Sequence, residues 1–159
     1  MGARAYIETS VVSYLTPRPS RDIVVAAHQQ ISMHWWEHYR KGFDLCTSQL
    51  VVDEARRGDL EVAQRRLELL DDMSLLEVTD QARTLAMTVV QESLLSQRAF
   101  PDALHIAIAT AHQVDYLVTW NCSHIANAVI LPRVAAICQR FDLLLPYVCT
   151  PEELLGDPQ

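Results

Sequence analysis

The chain has 159 residues, half of them apolar, with a formal net charge of −7 and a pI of about 5.2. That is one ordinary domain (1–159) with apolar side chain enough for a sizeable core, and no apolar run approaches the roughly 18 residues of a membrane span. The acidity excludes a non-specific nucleic-acid coat, which needs a basic surface, but not an enzyme that gathers acids in one pocket. The start, MGARAYIETS, lacks the apolar stretch of a secretory signal, and Tyr6 stands where a myristoylation motif needs Ser or Thr. A soluble cytoplasmic protein is expected. The four cysteines, Cys46, Cys122, Cys138 and Cys149, show no C-x-x-C spacing and read as small core residues.

Strand and helix alternate along the chain. Ala5 to Ile7 is a short apolar strand, followed by a helical turn, TSVVSYL. After the loop PRPSRD, Ser20 is a candidate cap for a long helix over 21–41, with Val24, His28, Ile31, Trp35 and Tyr39 as its core-facing stripe. FDLCTS is the second strand. Ser48 caps the helix QLVVDEARR, which Gly58 stops, and a charged helix runs from Asp59 to Asp71. SLLEVT is the third strand, with Asp80 capping a helix to about Leu95. Pro101 opens an Ala/Ile-rich helix to His112, since the first turn does not need its missing N–H. YLVTW is the fourth strand, Pro132 starts a helix to Phe141, LLLPYV is a possible fifth strand, and PEELLGD is a tail helix or turn.

Strands separated by helices imply parallel pairing with helices on both faces, an α/β/α sandwich. The pocket of such a fold lies beyond the carboxyl ends of the strands, where strand order reverses. Glu8 directly follows the first strand and Asn121 the fourth. Asp102 opens the helix that feeds the fourth strand, so it returns to the same edge. Glu54 shares a helix face with Leu50, Val51 and Gly58, with Asp53 an equal candidate beside it. Carboxylates that meet in one pocket persist as anions only with a cation to neutralise them. Oxygen donors without cysteine favour Mg²⁺ or Mn²⁺, ions that commonly act on phosphate esters. Each residue alone has a plainer explanation: Asp102 suits the helix dipole, Glu54 is an ordinary helix glutamate, and His105 is a packing or supporting residue. Arg56-Arg57 and Arg65-Arg66 read as solvated helix surface.

The ordered set YIETS, SQLVVDEARRGD, PDALHIAIATA and YLVTWNCSHIANA resembles the PIN-domain ribonucleases, and among them the VapC-type toxins of toxin–antitoxin pairs. The resemblance spans nearly the whole chain. It implies a three-layer α/β/α sandwich with a central parallel sheet, RNA hydrolysis with Mg²⁺ or Mn²⁺, a homodimer, and a small antitoxin partner. By position it implies Glu8, Glu54, Asp102 and Asn121 as the catalytic set, with Glu8, Glu54 and Asp102 as metal ligands. It resolves Glu54 over Asp53. Ser10, Thr119 and His124 fall in supporting places, and Asn127 beside the cleft. Two positions depart from the usual acids: Glu8 is one methylene longer than aspartate, and Asn121 is neutral but still carries a carbonyl oxygen. Those departures leave a PIN-like binding or assembly module without catalysis as the alternative. A phosphatase on a similar sheet would need a nucleophilic Asp after the first strand, where this chain has Glu8. Trp120 is expected in the core. Trp35 and Trp36 point about 100° apart on their helix, so either both pack within the domain or one faces a partner.

Overall fold

The computed structural model describes residues 2–92 and 95–156. Five parallel strands form one sheet: β1 (Ala3–Ile7), β2 (Phe43–Ser48), β3 (Ser74–Leu76), β4 (Tyr116–Val118) and β5 (Tyr147–Cys149), in the order β3-β2-β1-β4-β5. The chain steps outward from β1 to β3, then crosses back to β4 on the other side of β1. Strand order therefore reverses between β1 and β4, where a doubly wound sheet opens its crevice.

The helices divide as right-handed crossovers require. Helix α1 (Thr9–Leu15) packs on α2 (Ile23–His38), α3 (Gln49–Ala55) and α4 (Leu60–Leu70). On the opposite face α5 (Asp80–Glu92) packs on α6 (Phe100–Ala111) and α7 (Leu131–Arg140). This is the expected three-layer α/β/α architecture. Between the layers lie Ile7, Val11, Val51, Ile106, Ile108 and Leu117, all fully buried.

Several local expectations shift. Helix α2 is capped by Asp22, whose carboxylate accepts from Val25 N, while Ser20 Oγ accepts from Asp22 N just upstream. The stripe along α2 starts later than the spacing suggests, because Val24 lies in the exposed first turn and Trp35 is the residue wholly inside. Residues Arg40–Gly42 form a separate 3₁₀ turn. Thr79, not Asp80, caps α5 through its hydroxyl on Ala82 N. The extension of α5 toward Leu95 would cross residues 93 and 94, which lie outside the described residues. Strands β3, β4 and β5 are three residues each, shorter than SLLEVT, YLVTW and LLLPYV, and Leu144 is exposed. The tail turn is a 3₁₀ helix over Pro151–Leu154, and Asp157 at the end of PEELLGD lies outside the described residues. Gly58 ends the α3 segment at φ +86°, a left-handed conformation that suits glycine. Cys46, Cys138 and Cys149 are buried, but Cys122 is exposed, because it follows the strand end in the Asn121–His124 turn.

Trp120 is 8% exposed, with Nε1 donating to Ser32 Oγ at 2.7 Å and its ring stacked on His28. Trp35 is buried, whereas Trp36 is half-buried with the Arg40 guanidinium 4.5 Å over its ring. Arg66 is more than solvated surface: it donates to the carbonyls of Ala55 and Arg57 and so closes the end of α3. No helix among the described residues is long and apolar enough to cross a membrane.

Candidate active site

Glu8 leaves the central strand β1 at its carboxyl end and caps α1. Its Oε2 accepts from Ser10 N at 2.7 Å and from Thr119 Oγ1 at 3.2 Å. Only 5% of the residue is exposed. Burial pushes its carboxyl above the ordinary range, and the charge of Glu54 adds to this. The Ser10 hydroxyl and the Ser10 N–H oppose the shift without cancelling it.

Ser10 and Thr119 knit β1 to β4. Ser10 Oγ accepts from Trp120 N at 2.8 Å, and Thr119 Oγ1 accepts from Asn121 N at 2.9 Å. Asn121 turns its own carbonyl oxygen onto His124 N at 3.0 Å, so that oxygen shapes the loop after β4. Asn127 is likewise engaged locally, donating to Ser123 O and accepting from Val129 N.

Glu54 projects from α3, and its Oε1 receives two short bonds, from Thr9 Oγ1 and from His105 Nε2, each 2.6 Å. Burial alone would raise its carboxyl. The His105 ring and the Thr9 hydroxyl outweigh burial, and the net shift is downward. Asp53, one residue earlier, is exposed and pairs with Gln49 and Arg56. Asp102 sits in the first turn of α6, half-buried, with Oδ2 3.0 Å from His124 Nδ1.

The structure thus carries Glu8, Asp102, Asn121, Ser10, Thr119 and His124 to the carboxyl edge of β1 and β4, with Glu54 close enough to Glu8 to repel it. Sequence reasoning gave Thr9 and Tyr6 no place in the site, and took Ser48 only as the cap of α3, which it is, and His105 only as a packing or supporting residue. His105 is fully buried, with Nδ1 2.8 Å from Tyr6 Oη, which in turn lies 2.7 Å from Ser48 Oγ. The signal available was thin: a serine and a tyrosine on strands that ought to be apolar, and a histidine one turn after Asp102.

The donor chemistry fits a hard divalent cation. Each carboxylate has both its bonds, or its one bond, on a single oxygen: Oε2 of Glu8, Oε1 of Glu54, Oδ2 of Asp102. The other oxygen of Glu54 and the other oxygen of Asp102 take none of these bonds. The three do not, however, form a ready-made cluster. Among the described residues no three Asp, Glu, His or Cys side chains are gathered closely enough to hold an ion as they stand.

Comparison with known proteins agrees with this architecture. No curated protein matches the chain in sequence. Among solved structures, VapBC2 from Rickettsia felis, bound to a DNA fragment from its promoter, is 14% identical and aligns over 92% of this chain and 98% of its own, at a TM-score of 0.59. VapC20 from Mycobacterium tuberculosis, a toxin that cleaves the sarcin–ricin loop, is 16% identical over 76% of this chain and 92% of its own, at 0.58. A toxin–antitoxin complex from Klebsiella pneumoniae is 17% identical over 78% and 92%, at 0.52. At such identities the likeness is one of fold. The PIN domain family model matches residues 5–121, a span that runs from β1 through Glu8, Glu54 and Asp102 to Asn121, and the chain belongs to the PIN domain family.

Proposed function

We propose that this chain is a metal-dependent endoribonuclease that hydrolyses RNA phosphodiester bonds, and that it serves as the toxin of a type II toxin–antitoxin pair in the cytoplasm. The observation that supports this reading is that Glu8 and Asp102 come to the carboxyl edge of β1 and β4, with Glu54 on α3 near enough for its charge to act on Glu8. Mg²⁺ or Mn²⁺ would be held by these three carboxylates, and would supply a more acidic bound water and a counter-charge for the phosphate. The chain's own residues do the positioning. Ser10 and Thr119 fix Glu8 against β4, and the Asn121 turn sets His124 beside Asp102. Family resemblance and the toxin neighbours support a small antitoxin as partner. Exposed Ile23, Val24 and Met33 on α2 support a homodimer through that helix.

The test is RNA cleavage by the purified chain with and without EDTA, beside Asp102→Asn. EDTA-sensitive cleavage in the wild type, abolished in Asp102→Asn at an unchanged circular dichroism spectrum, is the expected result. Full cleavage by Asp102→Asn overturns the site. A wild type that neither cleaves RNA nor binds Mn²⁺ in calorimetry favours a PIN-like binding module instead.

A further inference from the structure

Tyr6, Ser48 and His105 form a buried polar chain inside the sheet layer, each with essentially no exposure. The chain has a direction that satisfies every member. Val51 N donates to Ser48 Oγ at 3.5 Å, and Ser48 donates to Tyr6 Oη at 2.7 Å. Tyr6 then donates to His105 Nδ1 at 2.8 Å, and the proton on Nε2 goes to Glu54 Oε1 at 2.6 Å. This assignment follows from the network, since a buried hydroxyl or ring nitrogen left without a partner is costly. The chain begins and ends on α3: Val51 and Glu54 lie one turn apart on the same helix.

On the way the network ties together all three acid-bearing elements. Tyr6 is two residues before Glu8 on β1, and His105 is one turn after Asp102 on α6. Helices α3 and α6 belong to opposite layers of the sandwich, so the His105–Glu54 bond crosses from one layer to the other over the edge of the sheet. It also divides the labour within the Glu54 carboxylate, because Thr9 and His105 both take Oε1.

We infer that His105, held by Tyr6 and Ser48, is a positioning residue: it clamps Glu54 Oε1 so that Oε2 faces the cleft, and it fixes α3 against the helix that bears Asp102. The inference rests on the nuclease reading for what the cleft receives, but its geometry stands apart from it. Partners that orient a ligating carboxylate typically account for about 10–100-fold in metal affinity.

The experiment combines two measurements on the full chain. Side-chain ¹H–¹⁵N spectra report which nitrogen of His105 is protonated, and calorimetry with MnCl₂ reports affinity, for wild type, His105→Leu, His105→Gln and Tyr6→Phe. A protonated Nε2 in the wild type is expected, and a ring protonated at Nδ1 alone overturns the clamp. His105→Leu is expected to weaken Mn²⁺ by about 10–100-fold, His105→Gln, which keeps a donor near the Nε2 position, by about threefold or less, and Tyr6→Phe by an intermediate factor. In RNA cleavage the loss should fall on kcat, with KM unchanged. Should His105→Leu fail to fold, Tyr6→Phe, which removes a single oxygen, carries the test. Wild-type affinity in both His105→Leu and Tyr6→Phe overturns the clamp and leaves the nuclease reading standing. A wild type with Nε2 protonated that binds no Mn²⁺ overturns the metal and supports the clamp.

Discussion

Two histidine–carboxylate pairs bracket helix α6, and they are chemically alike but physically different. His105 meets Glu54 at 2.6 Å with the two side chains 1% and 20% exposed; His124 meets Asp102 at 3.0 Å with the two 50% and 22% exposed. The first pair is one link in a longer network, with His105 held by Tyr6 on one side and Glu54 by Thr9 on the other. The second reaches Asp102 from an exposed loop. A buried pair of this kind resists disruption because removing one member strands the other, whereas a solvated pair contributes little. The difference teaches that Glu54 is held by architecture and Asp102 by its place on the helix.

The largest expected effect breaks the comparison most directly. Glu54→Ala, in metal-free buffer, should lower stability by about 2–3 kcal/mol, because it leaves His105 and Thr9 without their acceptor. Asp102→Ala should cost less than about 1 kcal/mol, since water can replace it at His124. For a chain of this length those figures are melting-point drops of about 5–10 °C and about 3 °C or less. Equal drops in the two variants would show that burial does not separate the pairs.

Glu8 sharpens the contrast from the other side, as a buried carboxylate without a basic partner in contact. Its raised carboxyl means that the charge costs the fold stability at neutral pH. Glu8→Gln keeps an acceptor for Ser10 N and Thr119 Oγ1 while removing the charge. It should therefore melt about 2–4 °C higher than the wild type, on the order of 1 kcal/mol, even as RNA cleavage is lost. The pH dependence has opposite signs at the two glutamates. Below the ordinary value of 4.5 the Glu8 carboxyl is protonated folded and unfolded, so the advantage of Glu8→Gln should vanish there and grow as pH rises through the raised folded value. Glu54 has a lowered folded value, so its contribution is present above 4.5 and disappears as pH falls through that lower value. Thermal melts of wild type, Glu8→Gln and Glu54→Gln across the acid range check both signs.

These two glutamates also show what the sequence could and could not reveal. Glu8 is legible from local pattern, as an acid directly after a short apolar strand, whereas spacing leaves Glu54 level with Asp53 and only the resemblance to the PIN-domain ribonucleases separates them. The environments of the two glutamates are not legible. The bond from His105 to Glu54 spans 51 residues and that from Tyr6 to His105 spans 99, and no local periodicity encodes either. Ser48 caps α3 as its position suggests, while the other two expected caps fail for a simpler reason. Ser20 and Asp22 both offer an oxygen before α2, as Thr79 and Asp80 do before α5, and the loop's exact path decides between neighbours of equal propensity. Cys122 was misjudged because burial preference is a property of residue type, while exposure here follows from the turn that Asn121 begins.

His124→Ala is the smallest of the expected effects and the finest probe of the comparison. The ring is half in solvent and its partner Asp102 is already favoured by the first turn of α6, so stability should change by less than about 0.5 kcal/mol. The turn after β4 does not depend on the ring either, because Asn121 Oδ1 bonds the backbone N–H of residue 124 and alanine retains it. Any loss of RNA cleavage then reports only how the imidazole aims Asp102. Since Asp102 keeps its helix and its exposure to the cleft, that loss should stay below about tenfold, under the range seen for well-ordered partners of ligating groups. A loss of a hundredfold or more at unchanged stability would mean that His124 acts on the substrate itself, and the exposed pair would then be the more important of the two for function.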